Sequence, residues 1–433
     1  MNLRVLIVAE HASAKFGGEA ALPLHYYRVL RRRNIPAWLV VHERTRRELE
    51  TLFPGDGDRI IFVSDTAWHR LMWRLSRFLP ARLSTFTTGF AIRFITQLAQ
   101  RRVIRQLVQD KGISVIHQPM PVSPKEPSMI YGMGVPVVIG PMDGGMDYPP
   151  AFRQMQSRLE RLALAAGRRL ANLMNRLMPG KREAAMLLVA NQRTREALPG
   201  GVCSRVATLV ENGVDLAIWK SDACVVQELS STVARYVFLG RLIDWKAVDL
   251  LLLAFKRATV QAPMSLSIIG DGGERPGLEQ LARELGLLDP EAGDQPGKVH
   301  FLGWMSQADC AEQLRQSDAL VLPSLLECGG AVVLEAMAME LPVIATAWGG
   351  PADYLDASCG ILVEPTSREA FIENLAAGLI RLAESPQLRV AMGKAGRAKV
   401  IQYFDWEVKV DRMLEIYRIV MAGDPPGERA PLV

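Results

Sequence analysis

Ser324-Leu-Leu-Glu327-Cys-Gly-Gly-Ala-Val-Val-Leu-Glu335-Ala-Met-Ala-Met-Glu-Leu-Pro342-Val-Ile-Ala-Thr346 is the stretch that decides the fold. The apolar run Ala319 to Pro323 just before it has the length of a buried strand. Gly329 and Gly330 allow a tight turn, and Ala331 to Met339 reads as a helix. Pro342 blocks its continuation, and Val343 to Thr346 begins another strand. This strand-loop-helix-strand unit puts its loop at the carboxyl end of a parallel strand, the edge where open α/β sheets bind ligands. Glu327 falls in that loop and Glu335 inside the helix. Eight helical residues span about 12 Å, comparable to an extended nucleotide sugar. Gly329, Gly330 and Ala331 would offer free N–H groups and a partial positive charge to a diphosphate between the two acids. Glu335 sits in an apolar run, an expensive place for a charge that has no partner.

The same alternation extends outward in both directions. In the first half, strands are expected at Leu3–Ala9, Ala37–His42, Arg59–Val63, Val115–His117, Val135–Ile139 and Ala185–Ala190. Gly17 and Gly18 stand between the first strand and a helix from about Ala20 to Arg33. A glycine pair there suits close approach of a phosphate or sugar, and equally a plain turn. After a hinge near 200–212 the pattern restarts, with strands at Tyr236–Gly240, Ser265–Gly270, Val299–Leu302 and Gly360–Val363 separated by helices. The expected organisation is an N-terminal Rossmann-like domain over 1–205 and a second over 206–404. A last amphipathic helix over 405–421 and a loose tail over 422–433 follow.

Composition narrows the class. The 433 residues are 49% hydrophobic, ample for two cores. No 18-residue run is free of charge, so no transmembrane helix is expected. The N-terminus runs straight into a strand without a signal-peptide pattern. Cys203, Cys224, Cys310, Cys328 and Cys359 have no metal spacing, which fits a reducing, cytoplasmic setting. Residues 1–205 carry 31 Lys+Arg against 15 Asp+Glu, or +16, and residues 206–433 carry 20 against 31, or −11. Residues 66–109 hold eight arginines and no acid, laced with aromatics, and 151–182 form a second basic stretch. Together they suggest peripheral contact with an anionic membrane face.

Two glutamates separated by seven residues, the second followed by Ala-Met-Ala, resemble the signature of the retaining family 4 glycosyltransferases. The resemblance covers about 205–420 strongly and 1–200 weakly. It implies a GT-B fold, two doubly wound Rossmann-like domains facing a central cleft, and transfer of a sugar from a nucleotide diphosphate donor. The acceptor would be a glycan or a lipid-linked molecule. On this resemblance Glu327 holds the sugar hydroxyls and Glu335 the ribose. Gly240-Arg241-Leu with nearby Lys246 matches the donor-phosphate motif, with Ala247 where a glycine is usual. Asn212 and Asp271 fall in cleft-lining loops, Glu211 among them, and Met305 lies where the base is received. His117, at a strand end, takes a donor-facing catalytic position, although most isolated histidines are structural.

No metal is expected. The only Asp-x-Asp triplet, Asp56-Gly-Asp58, reads as a turn, and His11, His25, His42, His69 and His300 show no ligand spacing. Beyond the donor itself no cofactor is implied. Two rivals belong to other classes. A phosphorylase-like enzyme would need a lysine for pyridoxal phosphate, and no such motif is evident. A non-catalytic, nucleic-acid-binding protein would use the basic half, but would leave the glutamate pair unexplained, so no nucleic acid is expected as partner.

Overall fold

The computed structural model describes residues 3–16, 18–76, 88–220, 233–288 and 296–423. Gly17, Arg77, Arg82, Cys224 and the expected tail from residue 424 onward lie outside these. The chain forms two compact units, one of residues 1–145, 157–211 and 406–433, the other of 146–156 and 212–405.

The first unit runs β1 (Val5–Val8), α1 (Gly18–Arg32), β2 (Ala37–His42), α2 (Arg46–Leu52), β3 (Ile60–Val63), α3 (Ala67–Ser76), α4 (Phe90–Asp110), β4 (Val115–Gln118) and β5 (Val137–Met142). It continues with α5 (Arg158–Leu177), α6 (Gly180–Glu183), β6 (Met186–Val189), α7 (Gln192–Glu196) and β7 (Val206–Thr208). The second unit runs β8 (Ala234–Leu239), α8 (Val248–Ala258), β9 (Met264–Ile269), α9 (Arg275–Glu284), β10 (Val299–Gly303), α10 (Gln307–Arg315) and β11 (Ala319–Leu322). Then come α11 (Ala331–Ala338), β12 (Val343–Thr346), α12 (Gly350–Tyr354), β13 (Gly360–Val363), α13 (Arg368–Glu384) and α14 (Pro386–Tyr403). The last helix, α15 (Trp406–Ala422), belongs to the first unit.

Both sheets are parallel throughout. Their orders are β3-β2-β1-β4-β5-β6-β7 and β10-β9-β8-β11-β12-β13. Each order reverses once, between β1 and β4 and between β8 and β11. Such reversals open a crevice at the carboxyl ends of the strands. Strands β1, β6 and β11 read as unbroken apolar runs, every residue buried, because they are covered on both faces. Val5 and Ile7 point into one layer with α1 and α15; Leu6 and Val8 point into the other with Ile104 and Leu107 of α4.

Helix α15 explains why the chain returns. Trp406, Val410, Met413, Tyr417 and Val420 are buried in the same cluster as Tyr26, Tyr27 and Val29 of α1. Each such burial contributes about 1.5–3 kcal/mol. His25 stacks on Trp406 at 4.7 Å, and Arg33 reaches both Glu407 and Asp411.

Two boundaries differ from the expected ones. Strand β7 pairs with β6, so the first unit continues past residue 205 to Glu211. The pattern hid it because the strand is short and only half-buried. Residues 146–156, expected in the first domain, belong to the second unit. There the indole of Trp348 donates to the Asp147 carbonyl at 2.9 Å, and Phe152 meets Phe371 edge-on at 5.9 Å.

Candidate active site

The strand-order reversal of the second unit brings together the loops after β8 and β11. The Leu325 N–H donates to the Trp245 carbonyl at 2.8 Å, joining the two loops by backbone. From one loop comes Lys246 and from the other Glu327, and they form a direct ion pair. Both side chains are mostly enclosed, with 14% and 16% of their surface exposed. A pair held this way strengthens each partner's geometry and leaves the remaining carboxylate oxygen and ammonium hydrogens for a ligand. Arg241, on the same loop as Lys246, is exposed, and its guanidinium has no hydrogen-bond or ion-pair partner among the described residues.

Gly330 caps α11 at φ +74°, and the cap has no side-chain hydrogen bond. A β-carbon there would press on the Glu327 side chain at 3.1 Å. The loop is backed by Gly349 and Gly350, which the sequence reading passed over. The Gly350 N–H donates to the Glu327 carbonyl at 2.8 Å. A β-carbon on Gly349 would stand 2.2 Å from that same oxygen, and one on Gly350 would stand 2.2 Å from the Gly329 carbonyl. The signal was present as a Gly-Gly-Pro just past the strand Val343–Thr346.

Glu335 lies in α11, partly buried, with no hydrogen-bond or ion-pair partner among the described residues. Burial alone pushes its carboxyl up to about 7. Cys310 is held up at about 11 by burial and then by the nearby Glu335 charge. Asp271, after β9, is exposed; its carboxylate accepts from the Gly272 N–H at 2.7 Å and faces Arg275 at 3.4 Å. Met305, after β10, is half-buried. Ala331 opens α11. Asn212 donates to the Tyr354 hydroxyl at 3.1 Å. Five of the six loops at this sheet edge thus carry an anticipated residue or support one.

Ala247 is less innocent than the sequence suggested. It adopts φ 50°, the left-handed region, and is buried. A side chain with a β-carbon is strained there by about 1–2 kcal/mol, which accounts for the usual glycine.

The first unit corrects two readings. His117 is wholly buried. Its Nε2 donates to the Gly140 carbonyl at 2.7 Å, and its Nδ1 accepts from the Tyr417 hydroxyl at 2.7 Å. Burial lowers its ring to about 4. With both nitrogens occupied it fastens α15 to the sheet and has none left for a donor sugar. Glu211, read as cleft-lining, is buried; burial and then Asp143 hold its carboxyl well above the usual range. Lys409 beside it bonds the Val210 carbonyl.

Gly18 begins α1 with open space around it. Beside it, at the β1/β4 reversal, lies a cavity of about 590 Å³. Glu10, Glu19, Glu126, Arg44 and Arg93 line it with Phe16 and Trp73. Arg93 donates to Glu126 at 2.6 Å. Carboxylates, guanidiniums and aromatic faces together suit a polyhydroxylated molecule.

His42, Asp65 and His69 come within 4.8 Å of one another, although their spacing gave no sign of it. His69 is already engaged: its Nδ1 accepts from the Thr66 N–H at 3.0 Å and its Nε2 meets the Thr96 hydroxyl at 3.0 Å. Arg44 lies 3.2 Å from Asp65. His69 is thus satisfied, the buried His42 Nε2 lies 3.1 Å from Asp65 without a hydrogen bond, and the cluster carries a neighbouring positive charge.

Residues 226–399 match the family model described as "Glycosyl transferases group 1". The chain is 32% identical over 205 residues to a D-inositol 3-phosphate glycosyltransferase of Streptomyces griseus, an alignment covering 45% of this chain and 41% of that protein. It is 30% identical over 185 residues to a GDP-mannose-dependent phosphatidylinositol monomannoside mannosyltransferase of Corynebacterium glutamicum, covering 41% and 45%. The chain thus spans about half the length of these relatives, or less. In three dimensions it is similar to Anabaena Alr3699/HepE, solved in complex with UDP, with TM-score 0.65 and 18% identity over 96% of this chain and 100% of that one. That likeness shows a shared GT-B fold of two Rossmann-like units. The glutamate pair, the lysine and the arginine all fall inside the segment, residues 226–399, that is similar to the group 1 glycosyl transferases.

Proposed function

We propose that the protein transfers a sugar from a nucleotide diphosphate sugar to a glycan or lipid-linked acceptor, with retention at the anomeric carbon and without a metal ion. The observation that carries this is the Lys246–Glu327 ion pair beside the unpartnered Arg241, at the strand-order reversal of the second unit. As the bond from the anomeric carbon to the diphosphate oxygen breaks, negative charge grows on the departing diphosphate. Arg241, Lys246 and the N–H groups of Gly330 and Ala331 meet that charge. Glu327 orients the sugar hydroxyls, and Glu335 accepts from the ribose. In a front-face transfer the departing phosphate oxygen takes the acceptor's proton while the acceptor oxygen bonds the anomeric carbon. No protein base is then required, in keeping with the sealed His117.

The names of the relatives support the reading: one is a glycosyltransferase acting on an inositol phosphate, the other a mannosyltransferase named for a lipid acceptor. The cavity of the first unit is the acceptor's place in this scheme. Sixteen Lys+Arg against one acid in residues 66–109 and 151–182 support peripheral contact with an anionic membrane. Among the described residues no helix is long and apolar enough to cross one.

A thermal-shift screen against UDP, GDP, ADP and their sugars tests the donor assignment, because a bound ligand stabilises the native state. One nucleotide family should raise Tm; no shift with any of them would overturn the proposal. Turnover should persist in EDTA, and loss with chelator followed by rescue with manganese would move the protein to a metal-dependent chemistry.

A further inference from the structure

Helix α5 presents its most apolar stripe to solvent. Leu159, Leu162, Ala166, Leu170, Leu173 and Leu177 fall within an arc of about 80° at 100° per residue. All six are exposed, Leu159 at 79% and Leu177 at 74%. The helix is held to its unit by the opposite, more polar side. There Asn175 is buried and donates to the Lys125 carbonyl at 2.8 Å, and Asn172 accepts from the Lys125 ammonium at 3.0 Å. The N-terminus is fixed by a capping box between Ser157 and Glu160. A surface helix normally turns its leucines inward and its polar residues outward; this one is reversed.

The flank of the stripe is basic. Arg158, Arg169 and Arg176 lie on one line beside the leucines, and all three are exposed. The stripe follows the 3.6-residue period of a straight helix. A paired coiled-coil seam repeats every 3.5 residues, and Leu159, Ala163, Ala166, Leu170, Leu173 and Leu177 fit that register too, with Arg169 and Arg176 just outside the seam. A second copy is therefore the rival occupant that the test below separates; the row of exposed arginines beside the stripe favours an anionic surface. An apolar stripe with arginines along one edge matches a helix lying in a headgroup layer, where leucines enter the acyl boundary and guanidiniums meet lipid phosphates.

The helix is tied to a loop that walls the first unit's cavity. Lys125, which holds α5, lies on the loop that gives Ser123 and Glu126 to the cavity wall. On another wall is Trp73 of α3, a helix that exposes Trp68, Leu71 and Leu75 along one side. We propose that α5, with the exposed side of α3, inserts into an anionic lipid surface and sets the cavity mouth at headgroup level, so that the acceptor is a membrane-anchored amphiphile. This rests on the reading of the cavity as the acceptor's place and specifies which surface makes the membrane contact.

The test is co-sedimentation of the full-length protein with vesicles of phosphatidylcholine alone and with phosphatidylglycerol added. The triple variant Leu162→Ser, Leu170→Ser, Leu173→Ser should bind anionic vesicles at least about tenfold more weakly. The triple variant Arg158→Gln, Arg169→Gln, Arg176→Gln should lose the preference for anionic over neutral vesicles. Both variants change exposed side chains, and an unaltered thermal shift with nucleoside diphosphate and an unaltered helical circular dichroism signal would show that they fold. If the wild type binds anionic vesicles and the leucine variant binds equally well, the assignment to α5 is overturned while peripheral membrane contact stands. Absence of wild-type binding at low salt overturns both. A concentration-dependent dimer that the leucine variant abolishes would show that a second copy covers the stripe and would also overturn the proposal.

Discussion

Where the six-stranded sheet reverses its strand order, the loops after β8 and β11 leave Arg241 exposed and join Lys246 to Glu327. Where the seven-stranded sheet reverses, the strand-end His117 is sealed under Tyr417, and Glu211 and Lys409 are buried nearby. Both sheets are parallel and doubly wound, and both reversals attract polar residues. The difference lies in the covering layer. Helix α15 packs its aromatic face onto the first sheet and takes up the histidine's nitrogens, so that the open polar space there shifts to the cavity beside α1. In the second unit the Arg241 side chain is exposed, with no hydrogen-bond or ion-pair partner among the described residues. A polar residue at a reversal is therefore available to a ligand only if the third layer leaves it so.

The largest effects should come from the open reversal. Lys246→Ala, Glu327→Ala and Arg241→Ala should each lower kcat by about 10²–10³, the usual loss when a group facing transition-state charge is removed. Because Lys246 and Glu327 act as a pair, their double variant should lose far less than the product of the two single losses. Wild-type turnover in Lys246→Ala would break the contrast between the two edges.

Glu335 separates stability from binding. Its carboxyl is raised from 4.5 to about 7 by burial, so the fold favours its protonated form. That contribution is complete below pH 4.5 and is lost as the pH rises through 7. Glu335→Gln should therefore stabilise the ligand-free protein at pH 8 by about 2 kcal/mol in urea unfolding, allowing for the partial exposure. The same change should weaken nucleotide binding ten- to a hundredfold, about 1.5–3 kcal/mol for a charged hydrogen bond. A variant neither more stable nor weaker in binding would mean that Glu335 faces no ligand.

At the sealed reversal the effect should fall on stability alone. Tyr417→Phe removes the donor to His117 and should cost about 1–3 kcal/mol, with the nucleotide-induced thermal shift unchanged. His117 is lowered from 6.5 to about 4. Its contribution is complete above pH 6.5 and is lost as the pH falls towards 4, an acid limb of about 3 kcal/mol. His117→Gln should flatten that limb, and a strong kcat loss without a stability loss would instead return the histidine to the chemistry.

The smallest expected change is a gain. Ala247→Gly should stabilise the second unit by about 0.5–1 kcal/mol, the relief of left-handed strain less the added chain entropy of glycine, read as a rise in urea midpoint.

Much of this molecule was legible in its residues. The expected strands at 37–42, 343–346 and 360–363 coincide with β2, β12 and β13, because apolar runs, glycines and prolines act on their own neighbourhood. Glu327, Arg241 and Lys246 were legible as charged residues in loops just past strand ends for the same reason. Other features depended on contacts between distant parts of the chain. Lys246 and Glu327 stand 81 residues apart in sequence, and nothing local says that they touch. His117 is occupied by a residue 300 positions away, so a side chain that looks available by sequence is unavailable in space. The leucines of α5 form a helical stripe by spacing alone, but only the packed unit shows that the stripe faces outward. Local order is set by neighbours in the chain; burial, ion pairing and the pKa values that follow are set by what the completed fold places against each group.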